Sequence, residues 1–123
     1  MTINKTILSG NLTRDAEVRR TASGMAIVSF TVAVNDRTKN KQTGEYESYA
    51  NFIDVTWFGT YAEKCAGGMG KGTQVVVCGK IHQSRWTNND GQNRSKIEVI
   101  AEDVVLPPRS QQQETLYESD LPF

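Results

Sequence analysis

Histidine is nearly missing from this 123-residue chain, cysteine occurs only twice, and neither sign of charge predominates. Each scarcity removes a class of function. His82 is the one histidine, and Cys65 and Cys78 stand apart, so a tetrahedral zinc site cannot be assembled. No nucleophile comes with a visible base, and the sequence reads as a non-enzyme needing neither cofactor nor metal. The thiols are expected to be free. No apolar run approaches the roughly 20 residues of a membrane span. Met1-Thr2-Ile3-Asn4-Lys5 enters strand-like sequence at once, without a signal peptide, which predicts a cytoplasmic protein.

The charge balance is zero, with 14 basic and 14 acidic residues, so a crude basic patch is excluded. The balance hides an asymmetry. From residue 107 onward, Arg109 faces Glu114, Glu118 and Asp120, which leaves a mildly basic body and an acidic tail.

What is present is β-sequence. In Ala50–Phe58, Ile53, Val55 and Trp57 alternate with Phe52, Asp54, Thr56 and Phe58. The first set is a core stripe. The second places two rings on a face that also holds a carboxylate and a hydroxyl. Ala26, Val28, Phe30, Val32 and Val34 are apolar at strict period two, a clear strand. Ile3–Leu12, Thr73–Trp86 and Arg94–Leu106 supply three more, with Val75, Val77 and Ile81 inward in one and Ile97, Val99 and Ala101 sharing a side in the other. Gly79 marks a bulge or bend. Thr60-Tyr61-Ala62-Glu63 is a capping box predicting a short helix to about Ala66, stopped by Gly67-Gly68.

Five strands with one short helix between the third and fourth predict an all-β chain, an OB-fold: a five-stranded Greek-key barrel. The same string is compatible with another small barrel. The domain is expected over residues 1–106. Pro107-Pro108 ends the sheet, and residues 107–123 read as a disordered tail.

Gly68-Met69-Gly70-Lys71-Gly72-Thr73 is no phosphate loop: Gly follows the lysine, and a strand follows the glycines. Cations gather elsewhere. Arg37, Lys39 and Lys41 lie in the Asn35–Glu45 loop, and Arg85, Trp86 and Arg94 flank the Asn88–Gly91 turn. Rings that stack on bases beside cations that hold phosphates are the chemistry of single-stranded nucleic-acid binding. The tail ends in Asp120, Leu121, Pro122 and Phe123, a compact docking peptide for an apolar pocket with a basic rim.

Several landmarks together carry a family resemblance: Asn4-Lys5 to Gly10-Asn11-Leu12, Asp15 with Glu17-Val18-Arg19, Thr43-Gly44-Glu45, Phe58-Gly59, Lys71-Gly72, Gly79-Lys80, Arg85-Trp86-Thr87 and the terminal Asp-Leu-Pro-Phe. On these the chain resembles the bacterial and phage single-stranded DNA-binding proteins. The resemblance implies an OB-fold, usually a homotetramer, that wraps single-stranded DNA without sequence preference. It also implies a nucleoid-associated role in replication, recombination and repair, with the tail tip recruiting partner proteins. By resemblance, Phe52, Phe58 and Trp86 are the stacking rings, and Lys5, Arg19, Lys41, Lys80 and Arg85 the phosphate contacts; Arg37, Lys39 and Arg94 join them from local reasoning. An RNA-binding OB module is the alternative. Two positions depart from the family: Thr38 replaces a stacking ring, usually Trp, and Ile53 replaces a histidine near the subunit interface. Either binding is weaker at Thr38, or Tyr46 compensates.

Overall fold

The computed structural model describes residues 1–107. The strands are β1 (Thr6–Leu12), β2 (Glu17–Arg20), β3 (Ala26–Lys39), β4 (Tyr46–Phe58), β5 (Gln74–Thr87) and β6 (Asn93–Val105), with one helix among the described residues, α1 (Thr60–Ala66), between β4 and β5. The sheet runs β1-β5-β6-β4-β3-β2. Pairing of Asn11 with Ala33 and Leu12 with Val32 joins β1 to β3. That contact closes β1, β3, β4, β6 and β5 into a five-stranded barrel, the expected OB-fold.

The period-two reading of β3 holds, since Ala26, Val28, Phe30 and Val32 are all buried. They meet Val55 and Trp57 of β4, Val75 and Val77 of β5, and Val99, Ala101 and Val104 of β6. Ala62 of α1 and Met69 close one end of this core, so the helix is a plug. Two glycines let strands approach: a Cβ on Gly10 would collide with the carbonyl of Ala33, and one on Gly79 with that of Ile100.

Three expectations are corrected, and one strand is added to the five expected in the barrel: Glu17–Arg20 pairs with the edge of β3. All four of its residues are exposed, so no burial pattern announces it. Residues 35–39 are paired strand rather than loop, with Asn35 across from Ala50 and Lys39 across from Tyr46. The turn proper is only residues 40–45. Ile81 is on the inward side but half exposed, because β5 and β6 run past the barrel as a two-stranded arm; Ile97 shares the side of Val99 and Ala101 and is exposed for the same reason. Within that pair Gly79 faces Ala101 while Cys78 faces Asp103, so Glu102 is an extra, bulged residue of β6. The bulge explains why the buried set of β6 is 99, 101 and 104 rather than a strict alternation. Finally, the capping box does not form. Gly59 is the N-cap with no side-chain cap, and the Glu63 carboxylate pairs with Arg20 instead.

Beyond Gly79 the outer edge of β5 has no strand partner among the described residues. Asn4 covers its first step. The Asn4 Nδ2 donates to the Ile81 carbonyl at 2.8 Å, and the Ile81 amide donates to Asn4 Oδ1 at 2.9 Å.

Candidate nucleic-acid interface

Register decides which side chains share a surface. Phe58 lies across from Ile27 and Phe52 across from Ala33, while Thr56 aligns with Ile100 of β6 and Lys80 with the same Ile100 from β5. Every second residue outward from these belongs to the outer face, and on β5 that includes Trp86. The three rings therefore occupy one face of the barrel wall and its arm. Phe52 is 67% exposed, Trp86 47% and Phe58 43%. An apolar ring left this open on a sheet surface is available for stacking. Six residues at about 3.3 Å each place Phe52 and Phe58 roughly 20 Å apart along β4.

Cations stand beside two of the rings. Arg19 of β2 pairs with Ile27, which pairs with Phe58, so Arg19, Ile27 and Phe58 form one row across three strands. Arg94 is directly opposite Trp86. Arg37 and Lys39 point outward near the end of the β3–β4 hairpin, and the Arg37 guanidinium lies 5.0 Å from the centre of the Tyr46 ring, a cation–π contact. Lys41 is in the turn, which the Asn40 carboxamide holds by accepting from the amides of Gln42 and Thr43. Lys80 is exposed on β5.

Two candidates are placed differently from the rest. Lys5 is engaged by Glu102 at 2.7 Å. The hydrogen bond from Lys5, followed by its charge, holds the Glu102 carboxyl below the ordinary range, and the same contact raises the Lys5 ammonium. Arg85 alternates with Trp86 and so belongs to the other side of the arm, where its Nη2 donates to Gln83 Oε1 at 3.0 Å.

The strip between Phe52 and Phe58 is polar and bonded. Thr31 Oγ1 donates to Asp54 Oδ1 at 2.8 Å, and Lys96 Nζ lies 3.2 Å from Asp54 Oδ2. Partial burial pushes the Asp54 carboxyl up; the Thr31 hydrogen bond, the Lys96 hydrogen bond and the charges of Lys96 and Arg14 together outweigh it, and the group sits below its ordinary value. Thr56 Oγ1 donates to Glu98 Oε2 at 3.4 Å. Lys96 escaped the sequence reading, although its period-two spacing from Arg94 was the available signal. Thr38 faces Glu47 on the opposite side of the hairpin from Arg37. Ile53 is half-buried against the core.

The glycine loop at 68–73 is tied down by an acid, not open to an anion: the Lys71 amide donates to Asp15 Oδ1 at 2.8 Å. Both cysteines are free, and among the described residues no cluster of His, Cys, Asp and Glu could hold a metal. No helix among them is long and apolar enough to cross a membrane. The candidate docking residues Asp120, Leu121, Pro122 and Phe123 lie outside the described residues.

Comparison with known proteins points one way. Residues 3–107 match the model of the single-strand binding protein family. The chain is 40% identical over 104 residues to the single-stranded DNA-binding protein of Treponema pallidum, a match spanning 85% of this chain and 57% of that protein. It is 41% identical over 103 residues to that of Wolinella succinogenes, covering 84% of this chain and 63% of the relative. Against that of Aquifex aeolicus the identity is 39% over 104 residues, covering 85% and 69%. The chain thus spans somewhat over half the length of the first two relatives. Among solved structures, the Plasmodium falciparum protein in complex with single-stranded DNA superposes with a TM-score of 0.78 at 20% identity, over 88% of this chain and 97% of that one. A deletion mutant of the single-stranded DNA binding protein from Thermus aquaticus gives 0.76 at 26%, over 88% and 52%. The first of these likenesses is one of fold; the sequence matches carry the kinship, and by them the chain belongs to the single-strand binding protein family.

Proposed function

We propose that this protein binds single-stranded DNA without sequence preference, taking bases on Phe52, Phe58 and Trp86 while cations of the hairpins and strands hold the backbone. The observation that carries the reading is the sharing of one outer face by three exposed rings, with Arg19 in the row of Phe58 and Arg94 opposite Trp86. Stacking is tolerant of sequence because every base has a π-face, and each phosphate neutralised releases counterions. Arg37, Lys39, Lys41 and Lys80 are the further backbone contacts. Lys5 contributes only by leaving Glu102, and Arg85 only to a strand that wraps around the arm.

In this reading the barrel (residues 1–106) is the binding domain and residues 107–123 are its tail. The tip Asp120–Phe123 recruits replication, recombination and repair proteins to covered DNA. The assembly is a homotetramer in the cytoplasm, associated with the nucleoid, and it acts by binding rather than catalysis. The kinship with proteins named for single-stranded DNA binding supports this.

Titration of intrinsic fluorescence with poly-dT, at low and high salt, tests the reading. Trp57 is buried and Trp86 is open, so quenching reports on Trp86. Saturable quenching that salt weakens only in part is expected. No quenching and no binding by a second method overturns the reading, and tighter binding of the matching RNA oligomer replaces it with the RNA-module alternative. Deleting Leu121–Phe123 is expected to leave DNA affinity unchanged while abolishing function in cells.

A further inference from the structure

Carboxylates are unexpected on a face that receives a polyanion. Asp54 nevertheless stands on the outer side of β4, between Phe52 and Phe58. It is not free. Thr31 on β3 donates to one oxygen and Lys96 on β6 approaches the other, so the carboxylate is anchored from both neighbouring strands. Lys96 has a definite place as well. On β6 it follows Arg94, the partner of Trp86, at the next outward position, and Glu98 follows it. It therefore bridges the arm bearing Trp86 to the β4 strip bearing the two phenylalanines.

We propose that Lys96 is a further DNA-contact residue and that Asp54 is its built-in competitor, occupying the ammonium until a phosphate displaces it. This rests on the single-stranded DNA reading above. Three features support it. The side chains of Lys96 and Asp54 are 47% and 44% exposed, so water screens their attraction and a phosphate can reach the ammonium. The Thr31 hydroxyl bonds Asp54 independently, so the carboxylate keeps its place when Lys96 swings away. The charges in the surroundings are mixed rather than cationic: Glu98 lies on the same side of β6 as Lys96, and Arg14 is the other cation whose field reaches Asp54. In the ion pair Lys96 gives little net attraction to DNA. Released, it becomes one full phosphate contact. The face is thereby tempered toward exchange of the bound strand rather than maximal grip.

The test uses the full chain, poly-dT and a series of salt concentrations. Asp54→Asn keeps an acceptor for Thr31 and removes the competitor. It is expected to bind several-fold tighter across the salt series, because the ammonium no longer has to leave a carboxylate before it meets a phosphate. In a Lys96→Met background the same substitution is expected to give no such gain. An Asp54→Asn protein that binds no tighter overturns the proposal. So does a gain of equal size in the Lys96→Met background, which would mean that only a negative charge had been removed from the face. Thermal unfolding of each variant identifies any that fails to fold, and Asp54→Ser then replaces Asp54→Asn in the same comparison. If the unaltered protein does not bind poly-dT at all, it is the underlying reading that fails.

Discussion

Trp86 stands directly across the β5–β6 arm from Arg94, on the same face, while Trp57, the only other tryptophan, is sealed in the barrel core against Val28 of the neighbouring strand. The two indoles therefore answer to different energies.

Trp86→Ala is expected to weaken DNA binding by about 1–3 kcal/mol, the value of one stacked base, with little effect on unfolding. Trp57→Ala is expected to do the reverse, costing about 3–5 kcal/mol of stability as a large core side chain is deleted. Titration and urea unfolding of the two variants check this. Equal losses of affinity in folded protein would break the assignment of faces.

Phe52 makes a second test on a different strand. Its ring is the most exposed of the three, so Phe52→Leu is expected to leave the melting temperature nearly unchanged while DNA affinity falls. A variant that melts much lower would mean that the ring is packing, not stacking.

Asp54 has a pH signature in stability. Its folded-state carboxyl lies below the ordinary value of 3.8. Its contribution is thus complete above that value and lost as pH falls through the lower, folded one. With both partners of the ion pair nearly half exposed, the size is about 0–1 kcal/mol. Melting curves of the unaltered protein and of Asp54→Asn are expected to differ slightly at neutral pH and to converge in acid below 3.8. A difference that widens on acidification has the wrong sign.

Gly79→Ala is expected to destabilise by about 1–3 kcal/mol, because the new methyl must push against the Ile100 carbonyl. Since Gly79 is where β5 leaves the barrel, the same substitution is expected to disturb binding at Trp86. A variant with unaltered stability would show that the strands part there at no cost.

These outcomes depend on features of unequal visibility in the sequence. The alternation in β3 and the two faces of β4 were legible because each strand has one wall in the core and one in water; burial wrote the period into residues 26–34 and 52–58. β2 was not legible, since Glu17–Arg20 buries nothing and takes its order from hydrogen bonds offered by β3. The same limit applies to residues 35–39, whose polar side chains read as loop although their backbone is paired to β4. Ile81 misleads for the opposite reason: it is apolar and inward in period, but the core ends before it. The alternation in β4 and β5 also put Phe52, Phe58 and Trp86 on outward positions, but which side chains neighbour them depends on distances between strands. Glu63 satisfies the spacing of a capping box, yet Arg20 from another strand claims its carboxylate. Likewise nothing local to Lys96 announces Asp54, forty-two residues earlier.

The side chain of Asn4 has a consequence for how copies of this protein behave at high concentration. A carboxamide carries the same donor and acceptor as a peptide unit, and here it satisfies both polar groups of Ile81 at the exposed margin of β5. An uncovered margin is a template on which a second chain can extend the ladder, the first step toward insoluble aggregate. With Ile81 already occupied, only the short remainder through Gln83, Arg85 and Thr87 stays open, and a guanidinium stands in its middle. One asparagine at the start of the chain thus acts as a stopper. It leaves the arm's side chains accessible while denying its backbone to neighbouring molecules.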